Sequence, residues 1–348
     1  MFAHLPHRTL ITAAAALALL VILLWLPTGI KTTGLMEEWI FLNDFEKGTE
    51  SERNEDIDFI TLSGTQRLRP LVGSGTVTAA VLTPGSFTGA HLYVMVTTTL
   101  KGLALYLVLA MLLPDNRVFA LLTALLLIVF PADDGLFTFR ALPVHGAVMY
   151  FLLGVYFLLR YWEQPRWWAA LGFFIAQLIT LMTYEVVYPL IAATPLLLLW
   201  HRPQGRARWI RATTLWMLAP VLTMLYVTWS LGQGESYQSW VLQRSGLTQP
   251  EVAAEMVGAL VNAYQRNLIG GWWTALGQVT SSAPLLLGLA AAAGVISAGA
   301  GWLTMRGAEQ HPMEFSDGAR RYLGLLVIGL AVIGLGYVLF LLTPYRDL

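Results

Sequence analysis

The chain has 348 residues, 56% hydrophobic and 12% charged, and its 21 basic and 21 acidic side chains give a formal net charge of zero. A charged fraction about half that of soluble proteins marks a polytopic membrane protein, and with no basic stripe to meet phosphates a nucleic-acid partner is excluded. There is no cysteine, which excludes disulfides, thiolate metal sites and cysteine nucleophiles.

Nine apolar stretches of membrane length are predicted, near 9–27, 88–113, 117–132, 143–161, 167–183, 186–200, 212–231, 283–304 and 322–343. The first is long for a signal peptide, and Leu-Pro-Thr-Gly-Ile is a poor cleavage site, so it reads as an uncleaved span. The fifth and sixth nearly abut across Thr183-Tyr184-Glu185. The expected fold is all-α, a single transmembrane bundle over 1–348 with about nine spans and juxtamembrane amphipathic helices in two long loops.

Orientation follows from the short loops. The stretch His201 to Arg211 is the densest basic segment, Arg160 and Arg166 flank another turn, and Arg306, Arg320 and Arg321 lie in a third. With the N-terminus inside, all three fall on the cytoplasmic side, as the positive-inside rule requires. The acidic residues of 37–58, with Asp133 and Asp134, then face out. This is the pattern of a multi-pass protein of the cytoplasmic membrane.

Both long loops are then extracytoplasmic. In the first, 28–87, Glu37-Glu38-Trp39 follows the first span directly. Tryptophan anchors at headgroup depth, which fixes the height of both carboxylates at the water boundary, where one can act as a general base. The segment from Asp44 to Asp58 is acidic, with few apolar anchors, and reads as mobile or loosely helical. The loop closes through Gln66-Arg67-Leu68-Arg69-Pro70-Leu71 and a Gly/Ser/Thr-rich re-entry. In the second loop, 232–282, Thr248-Gln249-Pro250-Glu251 is a capping box. The helix it opens carries Val252, Met256, Leu260, Ala263 and Tyr264 along one stripe, the pattern of a helix lying on the membrane surface.

Ionisable groups in or beside spans cost about 2.5–3.5 kcal/mol at mid-bilayer and so mark function. His91 opens the second span, Asp133, Asp134 and Arg140 fill the loop after the third, His145 opens the fourth, and Glu185 sits between the fifth and sixth. In this topology all gather at the outer face. Glu185 is embedded among apolar residues and needs a cation from elsewhere, for which Arg140 or Arg69 would serve. Lys101, near the middle of the second span, either snorkels or pairs inside the bundle.

These motifs, in this order, resemble the GT-C superfamily of integral-membrane glycosyltransferases, which use polyprenyl- or dolichyl-phosphate-linked sugars. Glu37-Glu38 takes the place of the acidic pair after the first span in that family. Arg69-Pro70-Leu71 looks like the motif closing the same loop, and Phe130-Pro131-Ala132-Asp133-Asp134 resembles its proline-and-acid turn. Two glutamates replace a pair that usually contains aspartate, and the chain reads as a short form or a fragment beside longer members. The resemblance implies an inverting transfer from a lipid-linked sugar donor to a glycan, lipid or protein acceptor at the outer membrane face. Glu37 would be the base and Glu38 its partner, with Arg67, Arg69 and Arg140 on the donor phosphate and Asp44, His91, Asp133, Asp134, His145 and Glu185 in support. A Mg²⁺ or Mn²⁺ ion on Glu37, Glu38 and Asp133 would suit carboxylate ligands. The rival readings are a transporter or flippase for a lipid-linked or anionic substrate, which needs polar groups through the depth of the bundle and unwound spans, and a non-catalytic assembly protein.

Overall fold

The computed structural model describes residues 7–28, 43, 46–61, 67–130, 142–201, 204–232, 251–281, 284–306 and 323–335. All regular structure among them is helical. In chain order the helices are α1 (His7–Thr28), α2 (Glu50–Thr61), α3 (Ser74–Leu82), α4 (Thr88–Leu112), α5 (Arg117–Ile128), α6 (Leu142–Glu163) and α7 (Trp167–Thr183). After a short 3₁₀ turn at Glu185–Val187 come α8 (Tyr188–His201), α9 (Arg206–Leu231) and α10 (Glu251–Gln265). A π-turn at Arg266–Gly270 leads into α11 (Gly271–Ser281), followed by α12 (Pro284–Arg306) and α13 (Leu323–Leu335). Helix thus occurs at each of the nine apolar stretches. Four segments, Arg8–Trp25, Thr88–Leu112, Leu142–Glu163 and Arg206–Leu231, are long and apolar enough to cross a membrane.

The chain divides into two compact units, 1–53 with 75–156 and 273–312, and 54–74 with 157–272 and 313–348. In unit 1, α1 packs on α4, α5 and α12, and α5 packs on α4 and α12. The buried stripe of α1 is Ala13, Ala16, Leu17 and Leu20, at helical spacing, and that of α5 is Ala120, Leu121, Ala124, Leu125 and Ile128. Gly102 of α4 lies where Leu17 and Ile128 meet it, so close that a Cβ would stand 2.9 Å from the Leu17 methyl. Small residues at such crossings let apolar helices approach where no hydrophobic effect drives them together. The opposite faces, with Ile11, Leu19, Leu122 and Leu126, are apolar yet exposed. Helices apolar all round with only one stripe covered are built for lipid.

Unit 2 is organised around α9, against which α7 and α8 pack. Its centre is aromatic: Phe173 lies 5.8 Å from Tyr161 and 5.7 Å from the fully buried Trp216, centroid to centroid. Pro195 interrupts α8 and has no N–H for the carbonyl four residues earlier, Ile191. The Trp216 indole N–H donates to that oxygen at 2.8 Å.

Sequence expectations meet two differences here. The acidic segment, expected to be mobile or loosely helical, holds the regular helix α2, begun by a reciprocal cap. The Thr49 N–H and hydroxyl donate to the Glu52 carboxylate at 2.6 and 2.9 Å, and the Glu52 N–H donates back at 3.3 Å. In α10, the stripe read as membrane-facing packs on the chain itself. Val252 and Ala263 are buried, and the Tyr264 hydroxyl donates to the Leu330 carbonyl at 2.7 Å.

Candidate functional site

In unit 2 the segment after Gln66 folds into tight turns, with Val72 N–H donating to Arg69 O at 2.9 Å and Ser74 N–H to Leu71 O at 3.1 Å. Two bonds fix it in place. The Leu71 N–H donates to Met182 O near the end of α7 at 3.0 Å, and the Tyr226 hydroxyl of α9 donates to Arg67 O at 2.6 Å. The segment thereby satisfies a carbonyl of the last turn of α7, which has no partner within the helix.

Beside this anchor α7 breaks. Tyr184 is extended (φ −156°, ψ 128°), Glu185–Val187 form one 3₁₀ turn, and α8 starts at Tyr188-Pro189, where proline suits a first helical turn. Arg69 reaches into the break. Its Nε is 3.6 Å from Glu185 Oε2 and its guanidinium carbon 5.3 Å from the Tyr184 ring centroid. Arg69 is buried, whereas the Glu185 side chain is 37% exposed although its Oε2 is covered. One carboxylate oxygen therefore holds the arginine while the rest of the side chain stays open. Of the two cations expected for Glu185, the structure pairs it with Arg69.

The opposite end of unit 2 is basic. Arg208 donates from Nη2 to the Trp162 carbonyl and stacks 5.6 Å from the Trp162 ring, Arg160 lies 6.0 Å from the Trp168 ring, and His201 is 3.8 Å from Glu163. From Arg208 to Tyr226 the helix α9 rises about 27 Å at 1.5 Å per residue, close to the roughly 30 Å of a hydrocarbon core. The arginine-rich turns and the Arg69–Glu185 pair thus cap opposite ends of one membrane-length helix.

In unit 1 the ends of α1, α3, α4 and α6 meet in a cluster of Trp25, Ala79, Ala90, Val94 and Leu142. The Trp25 indole N–H donates to His91 Nδ1 at 3.2 Å, with the rings edge to face. Gly89 lets the start of α4 approach α3: its N–H donates to Thr83 Oγ1 at 2.7 Å, and a Cβ there would collide with the Ala79 carbonyl. Lys101 Nζ lies 3.1 Å from His145 Nδ1, and both side chains are buried. Lys101 therefore pairs inside the bundle.

Comparison with known proteins yields no relative. No family model, characterised protein or solved structure matches the chain.

The remaining expected site residues, Glu37, Glu38, Asp44, Asp133, Asp134 and Arg140, lie outside the described residues. Among the described residues no group of three metal-ligating side chains occurs, and the three carboxylates considered for a divalent cation are not among them. Of the residues that are described, Arg69 and Glu185 meet in unit 2, Arg67 is held two residues before Arg69 by its carbonyl, and His91 and His145 lie in unit 1. Sequence reasoning missed Trp25 and Tyr226 as positioning groups. Trp25 ends an aliphatic span and looks like an interfacial anchor, and Tyr226 holds a carbonyl 159 residues away.

Proposed function

We propose that this chain is a membrane glycosyltransferase that moves a sugar from a polyprenyl-phosphate donor to an acceptor hydroxyl at the outer face of the cytoplasmic membrane. The observation that carries the reading is the Arg69–Glu185 pair. It is an ion pair held by backbone anchors at a helix break, at the end of α9 opposite the basic turns, in the segment that closes the acidic first loop. In this scheme the nine apolar helices are spans and Glu37 deprotonates the acceptor hydroxyl. The resulting oxygen attacks the anomeric carbon with inversion, and the anomeric C–O bond breaks to release polyprenyl phosphate. The leaving group departs already as a phosphate, so stabilising its charge matters more than protonating it. Arg67, Arg69 and Arg140 supply that positive charge, and Glu38 with Asp133 would hold Mg²⁺ or Mn²⁺ if a metal takes part.

The test is transfer of radiolabelled sugar from a polyprenyl-phosphate donor to an acceptor extract by protein in nanodiscs. Glu37→Gln keeps shape but cannot take a proton, so turnover should drop about 10²–10⁴-fold with donor binding little changed. Arg69→Ala should weaken donor binding as well. Full turnover in both Glu37→Gln and Glu38→Gln would remove the catalytic role of the acidic pair.

One observation favours a transporter instead. Gln177, fully buried midway along α7, has both amide atoms without a hydrogen-bond partner among the described residues. Together with the unwound Tyr184–Val187 link, this gives that helix pair a polar interior point. Counterflow of a lipid-linked or anionic substrate in proteoliposomes, lost in Gln177→Leu, would support that reading over the enzyme.

A further inference from the structure

The arginine-rich end of unit 2 holds more positive charge than its own acids meet. In 160–168 and 201–211 the one acidic residue is Glu163, and it faces His201. Arg160 and Arg208 lie over the Trp168 and Trp162 rings. Arg166, Arg206 and Arg211 differ. All three are exposed, and none meets a carboxylate or an aromatic ring among the described residues. The Arg208 bond to the Trp162 carbonyl holds the first turn of α9 against the last turn of α6, and Arg166 stands between α6 and α7. The three guanidinium groups therefore belong to one end of the unit.

An exposed stripe leads away from these cations on each of two packed helices. On α7 it is Trp167, Leu171 and Ile175, at four-residue spacing, with Trp167 76% exposed. On α9 the exposed face that starts at Arg211 continues through Thr214, Leu218 and Val221. Both α6 and α9, which meet here, are long and apolar enough to cross a membrane, so the arginines stand where the hydrocarbon stops. Arginine at that depth reaches the headgroups while its stem stays on apolar surface, and tryptophan settles at the same level. Guanidinium groups hold phosphate through paired N–H bonds. A molecule with an anionic phosphate at one end and hydrocarbon at the other fits the cations and the stripes together. A free phosphate fits the cations alone.

We propose that this end of unit 2 is a docking surface for anionic phospholipid, with the headgroup on Arg166, Arg206 and Arg211 and the acyl chains along the stripes of α7 and α9. This goes beyond the use of arginine to set orientation, because it requires selection among lipids rather than between the two sides of a membrane. It is independent of the glycosyl-transfer reading, since none of the three arginines belongs to the Arg69–Glu185 site.

Quenching by acyl-brominated lipids tests it on the whole protein in nanodiscs, labelled with bimane at a single Leu171→Cys. The probe then sits on the α7 stripe, one turn beyond Trp167. Brominated phosphatidylglycerol should occupy that position severalfold more strongly than brominated phosphatidylcholine, since one arginine near an anionic surface is worth about fivefold in binding. Arg166→Gln, Arg206→Gln and Arg211→Gln together should equalise the two lipids, and each alone should narrow the preference. Phosphate buffer should have no more effect than chloride at the same ionic strength. Equal quenching by the two lipids in the labelled parent overturns the proposal, as does a preference that survives the triple substitution in folded protein. Loss of preference in phosphate but not in chloride would make this a site for free anions and overturn it as well. The parent comparison and the single substitutions decide the matter if the triple variant fails to fold.

Discussion

Arg69 and Glu185 meet across the break between α7 and α8, with Nε 3.6 Å from Oε2 and the guanidinium stacked 5.3 Å from the Tyr184 ring. Removing one partner leaves the other's charge partly buried. Arg69→Ala and Glu185→Gln should each lower stability by about 1–3 kcal/mol, read as a lower unfolding temperature in nanodiscs. Arg69→Lys keeps the charge but loses the planar stack and should fall between parent and alanine. Equal stability for Lys and Ala would show that charge at 69 is irrelevant.

The proposed orientation puts Ser51 outside and Gln204 in the cytoplasm. Ser51 is exposed on α2, and the chain has no cysteine of its own. Single cysteines at these positions should therefore report cleanly. In intact cells an impermeant thiol reagent should label Ser51→Cys and spare Gln204→Cys. The reverse pattern would invert the protein and end the outer-face proposal.

Trp216 and Pro195 should prove energetically coupled. Trp216→Phe leaves the Ile191 carbonyl buried without its donor, at a cost of about 1–3 kcal/mol. Pro195→Ala restores an N–H in the helix that can serve that carbonyl. The tryptophan substitution should then cost less in the Pro195→Ala background than in the parent. Strict additivity in this double-mutant cycle would mean that the indole bond carries no weight.

Acid should loosen α2 from its start. The Thr49 N–H, and secondarily its hydroxyl, hold the Glu52 carboxyl below its ordinary value of 4.5. A group lowered by folding stabilises fully above its unfolded value, and that contribution is lost as pH falls through the lower folded value. Amide-exchange protection in the first turn of α2 should thus be level above about 4.5 and decline below it. Glu52→Gln should flatten the decline; an unchanged profile would place the effect elsewhere.

How far the sequence could be read depended on the range of the interaction. Apolar runs located helices at every expected stretch, because span length is a property of contiguous residues. Glu185 was legible as an acid in want of a cation, and two candidates were the limit, since Arg69 lies far away in the chain. The Thr49–Glu52 cap has the same spacing as the one recognised at Thr248–Glu251, but it stands in acidic sequence with few apolar anchors and no apolar stripe to announce a helix. The α10 stripe was visible as apolar, yet protein and lipid are equally good covers for such a face. The Trp25–His91 bond spans 66 positions and leaves no local pattern at all.

The break after α7 also has an electrical direction. A helix ends with partial negative charge on its unpaired carbonyls and begins with partial positive charge on its N–H groups. At Tyr184 the tail of one helix therefore faces the head of the next. Arg69 is tethered to the tail, through the Leu71 bond to Met182 O, and Glu185 lies just before the head. Each side chain thus opposes the helix end beside it, and the pair bridges two antagonistic poles. An exchanged pair, glutamate at 69 and arginine at 185, would restore the attraction between the side chains while setting both against the helix ends. The junction has a handedness of charge that a count of ion pairs does not register.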